Sequence, residues 1–150
     1  MHRVFLLLGS NLGDRERNLE DAQNELKSSG LVILKKSSIH ETSPWGYLEQ
    51  PKFLNQAVEC ITSFPPFELL REIKKIEQKM GRVKTIIYGP RVIDIDIIFF
   101  DDLILYSEEL TIPHPLMHLR EFVLRPLNEI APDFIHPLLK LSVSNLLDNL

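Results

Sequence analysis

The run from Val92 to Phe100 constrains this chain more than any other stretch. It reads Val-Ile-Asp-Ile-Asp-Ile-Ile-Phe-Phe, a β-branched and aromatic pattern that fits a buried strand. Strand side chains alternate, so Asp94 and Asp96 share one face while Ile93, Ile95 and Ile97 share the other. Aspartate is depleted in strands, and two carboxylates roughly 6–7 Å apart repel each other. Two readings follow from the spacing. The face is polar and solvated, or the carboxylates gather divalent cations. Magnesium is the natural choice, being hard and oxygen-seeking. Paired carboxylates at this spacing could hold two ions roughly 3.5–4 Å apart, a clamp suited to phosphoryl transfer.

At 150 residues the chain suits one domain, residues 1–150, with a real core. A net charge of −4 argues against a nucleic-acid surface built on overall basicity. Cys60 is the single cysteine, so an internal disulfide is excluded and a small buried thiol is expected. The apolar run from Val4 to Leu8 is too short for a signal peptide, and no run approaches a membrane span. A cytoplasmic location follows by default.

The remaining pattern mixes strands and helices without strict alternation. Val4 to Leu8 reads as a buried strand, and Gly9 to Gly13 as a turn. Asp14 is the expected N-cap of a helix bearing Leu19, Ala22 and Leu26, which Gly30 ends. Strands follow over residues 31–35 and Phe53–Thr62, separated in part by a loop from Thr42 to Pro51. Pro65 and Pro66 open a helix whose Leu69, Ile73, Ile76 and Met80 form one stripe, with Gly81 closing it. After the Asp94 strand, residues 103–106 are expected as its hairpin partner. Short helices are expected between 118 and 131 and from Ser144 onward. The sum is an α+β sandwich, one mostly antiparallel sheet with helices packed on it.

Three groups of residues carry chemical possibilities. Arg82, Lys84 and Arg91 would surround an anion held at the aspartates, which suggests a phosphate chain; a solvated basic loop is the plainer reading. Trp45, Phe53 and Phe122, with Asn55, could sandwich a planar heterocycle and read its edge, or simply belong to the core. His114 and His118 have the spacing of a helical zinc pair, but Pro115 disfavours helix there and no cysteine pair helps; a phosphate-contacting or structural His114 is expected instead. Gly9-Ser10-Asn11-Leu12-Gly13-Asp14 lacks the lysine of a P-loop, and is either a plain turn or a backbone approach to substrate.

Taken in order, these segments resemble the 6-hydroxymethyl-7,8-dihydropterin pyrophosphokinases of the folate pathway. The resemblance runs from Leu8-Gly9-Ser10-Asn11 through Thr42-Ser43-Pro44 and Phe53-Leu54-Asn55 to Gly81-Arg82 and Gly89-Pro90-Arg91. It continues through Asp94-Ile95-Asp96-Ile97 and Pro113-His114-Pro115 to Arg120-Glu121-Phe122. It implies a ferredoxin-like α/β sandwich. It also implies transfer of the β,γ-pyrophosphoryl group of ATP to a pterin hydroxymethyl oxygen, with release of AMP. On this resemblance Asp94 and Asp96 would hold two magnesium ions, and Arg82 and Arg91 would act on the phosphates. Thr42, Ser43, Pro44, Trp45, Phe53, Asn55 and Phe122 would meet the pterin. Glu77, Lys84, Tyr88, Arg91, Ile97, Thr111, His114 and Arg120 would lie near the nucleotide. Lys84 stands where many relatives carry arginine, which replaces a planar fork by a point charge.

Two other classes remain open on the residues alone. A nucleotidyltransferase also pairs a Gly-Ser turn with D-x-D, but keeps them close in sequence, whereas Ser10 and Asp94 are far apart. A non-catalytic binding module would leave the paired aspartates and neighbouring arginines without a purpose. The expected partners are therefore small molecules, with no nucleic acid and no membrane, acting on a monomer.

Overall fold

The computed structural model describes residues 1–44, 49–81 and 90–150. Its first strand, β1 (His2–Ser10), alternates between two cores. Val4, Leu6 and Leu8 face one side, and Phe5 and Leu7 face the other. A strand buried on both faces belongs at the centre of a sheet, and β1 pairs antiparallel on one edge with β4 (Phe53–Thr62) and on the other with β5 (Asp94–Phe100). β2 (Val32–Lys36) adds outside β4, giving the order β2-β4-β1-β5, and a short β3 (His40–Thr42) pairs with β4 further along. With α1 (Arg15–Ser28) after β1 and α2 (Pro66–Lys79) after β4, this is the split β-α-β arrangement of a ferredoxin-like fold.

Helices cover both faces. Leu19, Ala22 and Leu26 of α1 and Leu69, Ile73 and Ile76 of α2 pack on Val4, Leu6 and Leu8. The opposite face is covered by α3 (Glu121–Ile130) and α4 (Val143–Asp148), whose Val123, Leu127 and Leu146 pack on Phe5, Ile98 and Phe99. The expected punctuation is present. The Asp14 side chain accepts the Arg17 N–H at the start of α1, and Gly30 and Gly81 take positive φ just past α1 and α2.

β5 carries one irregularity. Phe5 pairs with Phe99 but Leu6 with Ile97, so Ile98 is an extra residue bulged from the ladder. Its carbonyl accepts the His114 N–H at 3.1 Å, which docks the segment 113–115 against the strand.

Three local expectations are corrected. β1 runs on through Gly9 and Ser10, so the turn starts later than the sequence suggested. The segment expected as pure loop from Thr42 begins in β3, three residues too short for periodicity to reveal. Residues 103–106 are no hairpin partner of β5. Asp101 takes a φ of 49° and its carboxylate binds the Arg3 N–H and His2 of β1, turning the chain away; Leu105 instead bridges Ile112. Among the described residues no helix is long and apolar enough to cross a membrane.

Near the C-terminus, His136 is 3 % exposed and its Nδ1 accepts the N–H groups of Leu138 and Leu139 at 3.2 and 3.0 Å. Burial first, and the charge of His118 second, lower its pKa from 6.5 to about 4. Between those values the unfolded chain holds a proton on this ring that the folded chain refuses. Its contribution to stability is therefore complete above pH 6.5 and declines as the pH falls toward 4. In urea titrations His136→Asn should lose less stability than the unaltered protein between pH 7.5 and pH 5, chosen to straddle about 6.5. Equal losses in the two proteins would contradict this account.

Candidate functional site

The site is a product of register. Gly9 of β1 sits opposite Asn55 on β4 and opposite Asp94 on β5, so Asn55, Gly9 and Asp94 form one row across the sheet. The next row is Ala57, Leu7 and Asp96. Paired residues share a face, so Asn55, Asp94 and Asp96 rise together on the α3 side. Two strand spacings put the Asn55 and Asp94 backbones about 10 Å apart. Gly9 keeps the floor between them clear. A Cβ there would lie 3.2 Å from Asn55 Oδ1 and 3.7 Å from the Phe53 ring.

Above this floor lies a cleft of about 660 Å³, part of it open to solvent. Phe53 and Phe122 line it from β4 and the start of α3, with Thr42 and Ser43 along one edge. Arg91, Asp94, Asp96 and Arg120 line it as well. Asn55 is 3 % exposed and donates from Nδ2 to Thr42 Oγ1 at 2.7 Å, which turns Oδ1 toward Gly9 and the cleft. The Arg120 guanidinium stands 5.5 Å from the centre of the Phe122 ring, in cation–π range.

Asn11, 1 % exposed, fastens the cleft's ends together. Its backbone N–H donates to the Arg91 carbonyl at 3.0 Å, and its Oδ1 accepts the Arg91 N–H at 2.7 Å. From the same amide, Nδ2 donates to Gln50 Oε1 at 2.8 Å and to the Pro51 carbonyl at 3.0 Å. One buried side chain thus fixes the backbone of Arg91 relative to the segment leading into β4.

Other expected residues lie apart from the cleft floor. Glu77, 6 % exposed on α2, accepts the Ile95 N–H at 2.9 Å and so braces β5 from behind. The Ile97 side chain points into the α1–α2 core, on the face opposite Asp96. Thr111 and His114 line a separate small cavity, where the Thr111 hydroxyl donates to the Ser107 carbonyl. Burial, then the nearby Arg120 charge, lowers the His114 pKa to about 4, so the ring is neutral at neutral pH. Its Nδ1 accepts the Leu116 N–H at 3.3 Å, which leaves the proton on Nε2 as a donor. Pro44 is described but does not line the cleft. Trp45, Arg82, Lys84 and Tyr88 lie outside the described residues.

Sequence reading left the Gly9–Asp14 segment as a plain turn or a backbone approach to substrate, and gave no part to the Asn11 side chain or to Gly9 inside the strand. A glycine inside an apolar strand pattern was the available signal for a close approach. Nothing local marks Asn11, because its partners are 39 and 80 residues away.

The donor chemistry of Asp94 and Asp96 fits magnesium. They supply hard oxygen ligands from one strand into one cleft. Among the described residues no group of three or more His, Cys, Asp or Glu could form a protein-only cage. Magnesium usually takes one or two carboxylates and completes its shell with water and phosphate oxygens.

Residues 5–132 match the family described as 7,8-dihydro-6-hydroxymethylpterin-pyrophosphokinase (HPPK). A Bacillus subtilis 2-amino-4-hydroxy-6-hydroxymethyldihydropteridine pyrophosphokinase is 46 % identical over 129 residues, 85 % of this chain and 77 % of that protein. A folic acid synthesis protein of Dictyostelium discoideum is 47 % identical over 147 residues, 98 % of this chain but 22 % of that protein. The chain thus spans about a fifth of the length of that relative. A crystal structure of Plasmodium falciparum HPPK-DHPS superposes with a TM-score of 0.79 at 19 % identity, over 99 % of this chain and 42 % of that one, a likeness of fold. The family match and the Bacillus subtilis relative show that the chain belongs to the 7,8-dihydro-6-hydroxymethylpterin-pyrophosphokinase family.

Proposed function

We propose that this chain transfers the terminal diphosphate of ATP to the hydroxymethyl group of 6-hydroxymethyl-7,8-dihydropterin and releases AMP. The observation that carries the reading is the row Asn55–Gly9–Asp94, which sets an amide reader and a carboxylate pair on either side of a clear floor. The pterin ring lies between Phe53 and Phe122, and Asn55 Oδ1, oriented by Thr42, accepts from the ring's N–H groups. The hydroxymethyl arm then reaches across Gly9 toward Asp94 and Asp96.

Phosphoryl transfer asks a protein mainly for alignment and charge neutralisation. The alcohol oxygen bonds to the β-phosphorus as the bond from that phosphorus to the oxygen shared with the α-phosphate breaks. AMP leaves with the electron pair, and the alcohol's proton passes to water. Asp94 and Asp96 would hold two magnesium ions, which when bound would neutralise phosphate oxygens and acidify the alcohol. Arg91, its backbone fixed by Asn11, and Arg120 stabilise charge gathering on the phosphates. His114, whose Nε2–H is a neutral donor, is read as a neighbour of the nucleotide. Arg82 and Lys84 are read as further cations of this kind, and Tyr88, Glu77, Ile97 and Thr111 as neighbours of the nucleotide. Ser43, Pro44 and Trp45 are read as further contacts of the pterin. We read the protein as a cytoplasmic monomer acting on two small molecules.

Mixing the protein with ATP, magnesium and the hydroxymethyl pterin should yield AMP and a pterin diphosphate by mass spectrometry. Released pyrophosphate would instead mean nucleotidyl transfer. Asp96→Ala should lower turnover by about a hundredfold or more while the circular dichroism spectrum and melting temperature stay near those of the unaltered protein. Wild-type rates in that variant would remove the carboxylates from the mechanism. Gly9→Ala should weaken pterin binding about tenfold by crowding Asn55 and Phe53, with nucleotide affinity unchanged. Calorimetry showing equal loss for both ligands would place the damage elsewhere.

A further inference from the structure

One wall of the cleft is poorly supported by its own sheet. β3 is three residues long, it pairs with β4 alone among the described strands, and Ile39 just before it is 43 % exposed. So short a strand has too few ladder bonds to fix its height above the sheet. Its root is held instead. Ser37, 4 % exposed, donates its N–H to the Ala57 carbonyl at 2.9 Å, and its Oγ accepts the Ala57 N–H at 2.9 Å. The Gln56 side chain donates to the Ser37 carbonyl at 2.8 Å.

The next residues are held by α3. The Glu129 carboxylate accepts the Ser38 N–H and the Ser38 hydroxyl, each at 2.9 Å, and also bonds His40 Nε2. From the other side of the sheet Arg15 of α1 pairs with Glu41 at 2.9 Å. His40 lies in the same row as Asn55, and Thr42 is two residues on, on the same face. Glu129 follows Phe122 by two turns of α3, about 10 Å along the axis. The two walls of the cleft, Thr42 on β3 and Phe122 on α3, are therefore joined through one carboxylate.

We propose that Glu129 is a positioning residue for the pterin slot: by pinning Ser38 and His40 to α3 it sets the separation of the Thr42 edge from the Phe122 ring. This role deepens the pyrophosphokinase function proposed above and rests on it. The carboxylate is charged at neutral pH. Burial pushes its pKa up, but the Ser38 N–H, the His40 ring and the Ser38 hydroxyl outweigh that and hold it below the ordinary range. The Glu129 side chain is 37 % exposed, and exposed pairs of this kind add little to global stability. Its loss should therefore appear in slot geometry before it appears in folding.

The test compares the unaltered protein with Glu129→Ala and Glu129→Gln by steady-state kinetics and thermal melting. Glu129→Ala should raise KM for the hydroxymethyl pterin about tenfold while kcat and KM for ATP stay within about twofold. Glu129→Gln keeps an oxygen acceptor for Ser38 and should recover most of the loss. An unchanged pterin KM in Glu129→Ala overturns the proposal, as does a parallel change in both KM values and kcat with a lowered melting temperature. Should Glu129→Ala fail to fold, the double variant Ser38→Ala with His40→Ala, which keeps only the Ser38 N–H bond to Glu129, should raise the pterin KM by a smaller factor with kcat and KM for ATP unchanged, and an unchanged pterin KM there overturns the proposal equally. Absence of pterin binding by the unaltered protein would sink the pyrophosphokinase function and this role with it. Normal binding there with no effect of the variants would sink this role alone.

Discussion

Everything at the cleft depends on the two antiparallel ladders of β1. They are what bring Asn55 and Asp94, far apart in sequence, into a single row on one face of the sheet. The hydrophobic faces of β1 lock that register, because a slip of one residue would exchange Val4, Leu6 and Leu8 with Phe5 and Leu7 and reverse both cores. The precision of the site is thus inherited from hydrocarbon packing.

The sheet treats its two faces differently. The α1–α2 face is apolar from Val4 to Leu8 of β1, with Ser10 bonded to Asn18 beyond and Glu77 bonded to the Ile95 N–H at its margin. The α3–α4 face is apolar only for part of its length; beyond Leu7 it passes to Gly9, Asn55 and the aspartates. Polar groups gathered at one end of a sheet face forgo packing there, and the aromatic cluster of Phe5, Phe99 and Phe134 occupies the other end. A functional surface and a core share one layer without mixing.

Much of this was legible in the sequence where the signal was periodic. The strand Phe53–Thr62, the helix opening at Pro66 and the shared face of Asp94 and Asp96 all follow from spacing alone. Phe122 and Arg120 line the same cleft; the aromatic set had grouped Phe122 with Phe53, but only the family resemblance singled out Arg120, since no local pattern links α3 to β5. What spacing could not give was pairing. Gly9 gains its importance from standing between two partners, and β3 from a carboxylate 89 residues from His40. The segment 103–106 shows the opposite error, an apolar stretch with strand-like composition that Asp101 diverts from the ladder.

The bulge at Ile98 has an effect that reaches beyond its own position. Ile98 and Phe99 both face α3 and α4, and Phe100 faces α1 and α2. Strict alternation counted back from Phe100 would send Asp96 and Asp94 into the oily side of the domain and Ile95 and Ile97 into the cleft. The bulge therefore takes one surplus amino acid out of the count and returns the strand to phase, so the far half anchors in grease while the acid pair stays wet. Forcing that surplus residue into the ladder would turn the acid pair inside out, whereas deleting it would repair the ladder and leave the pair facing the cleft.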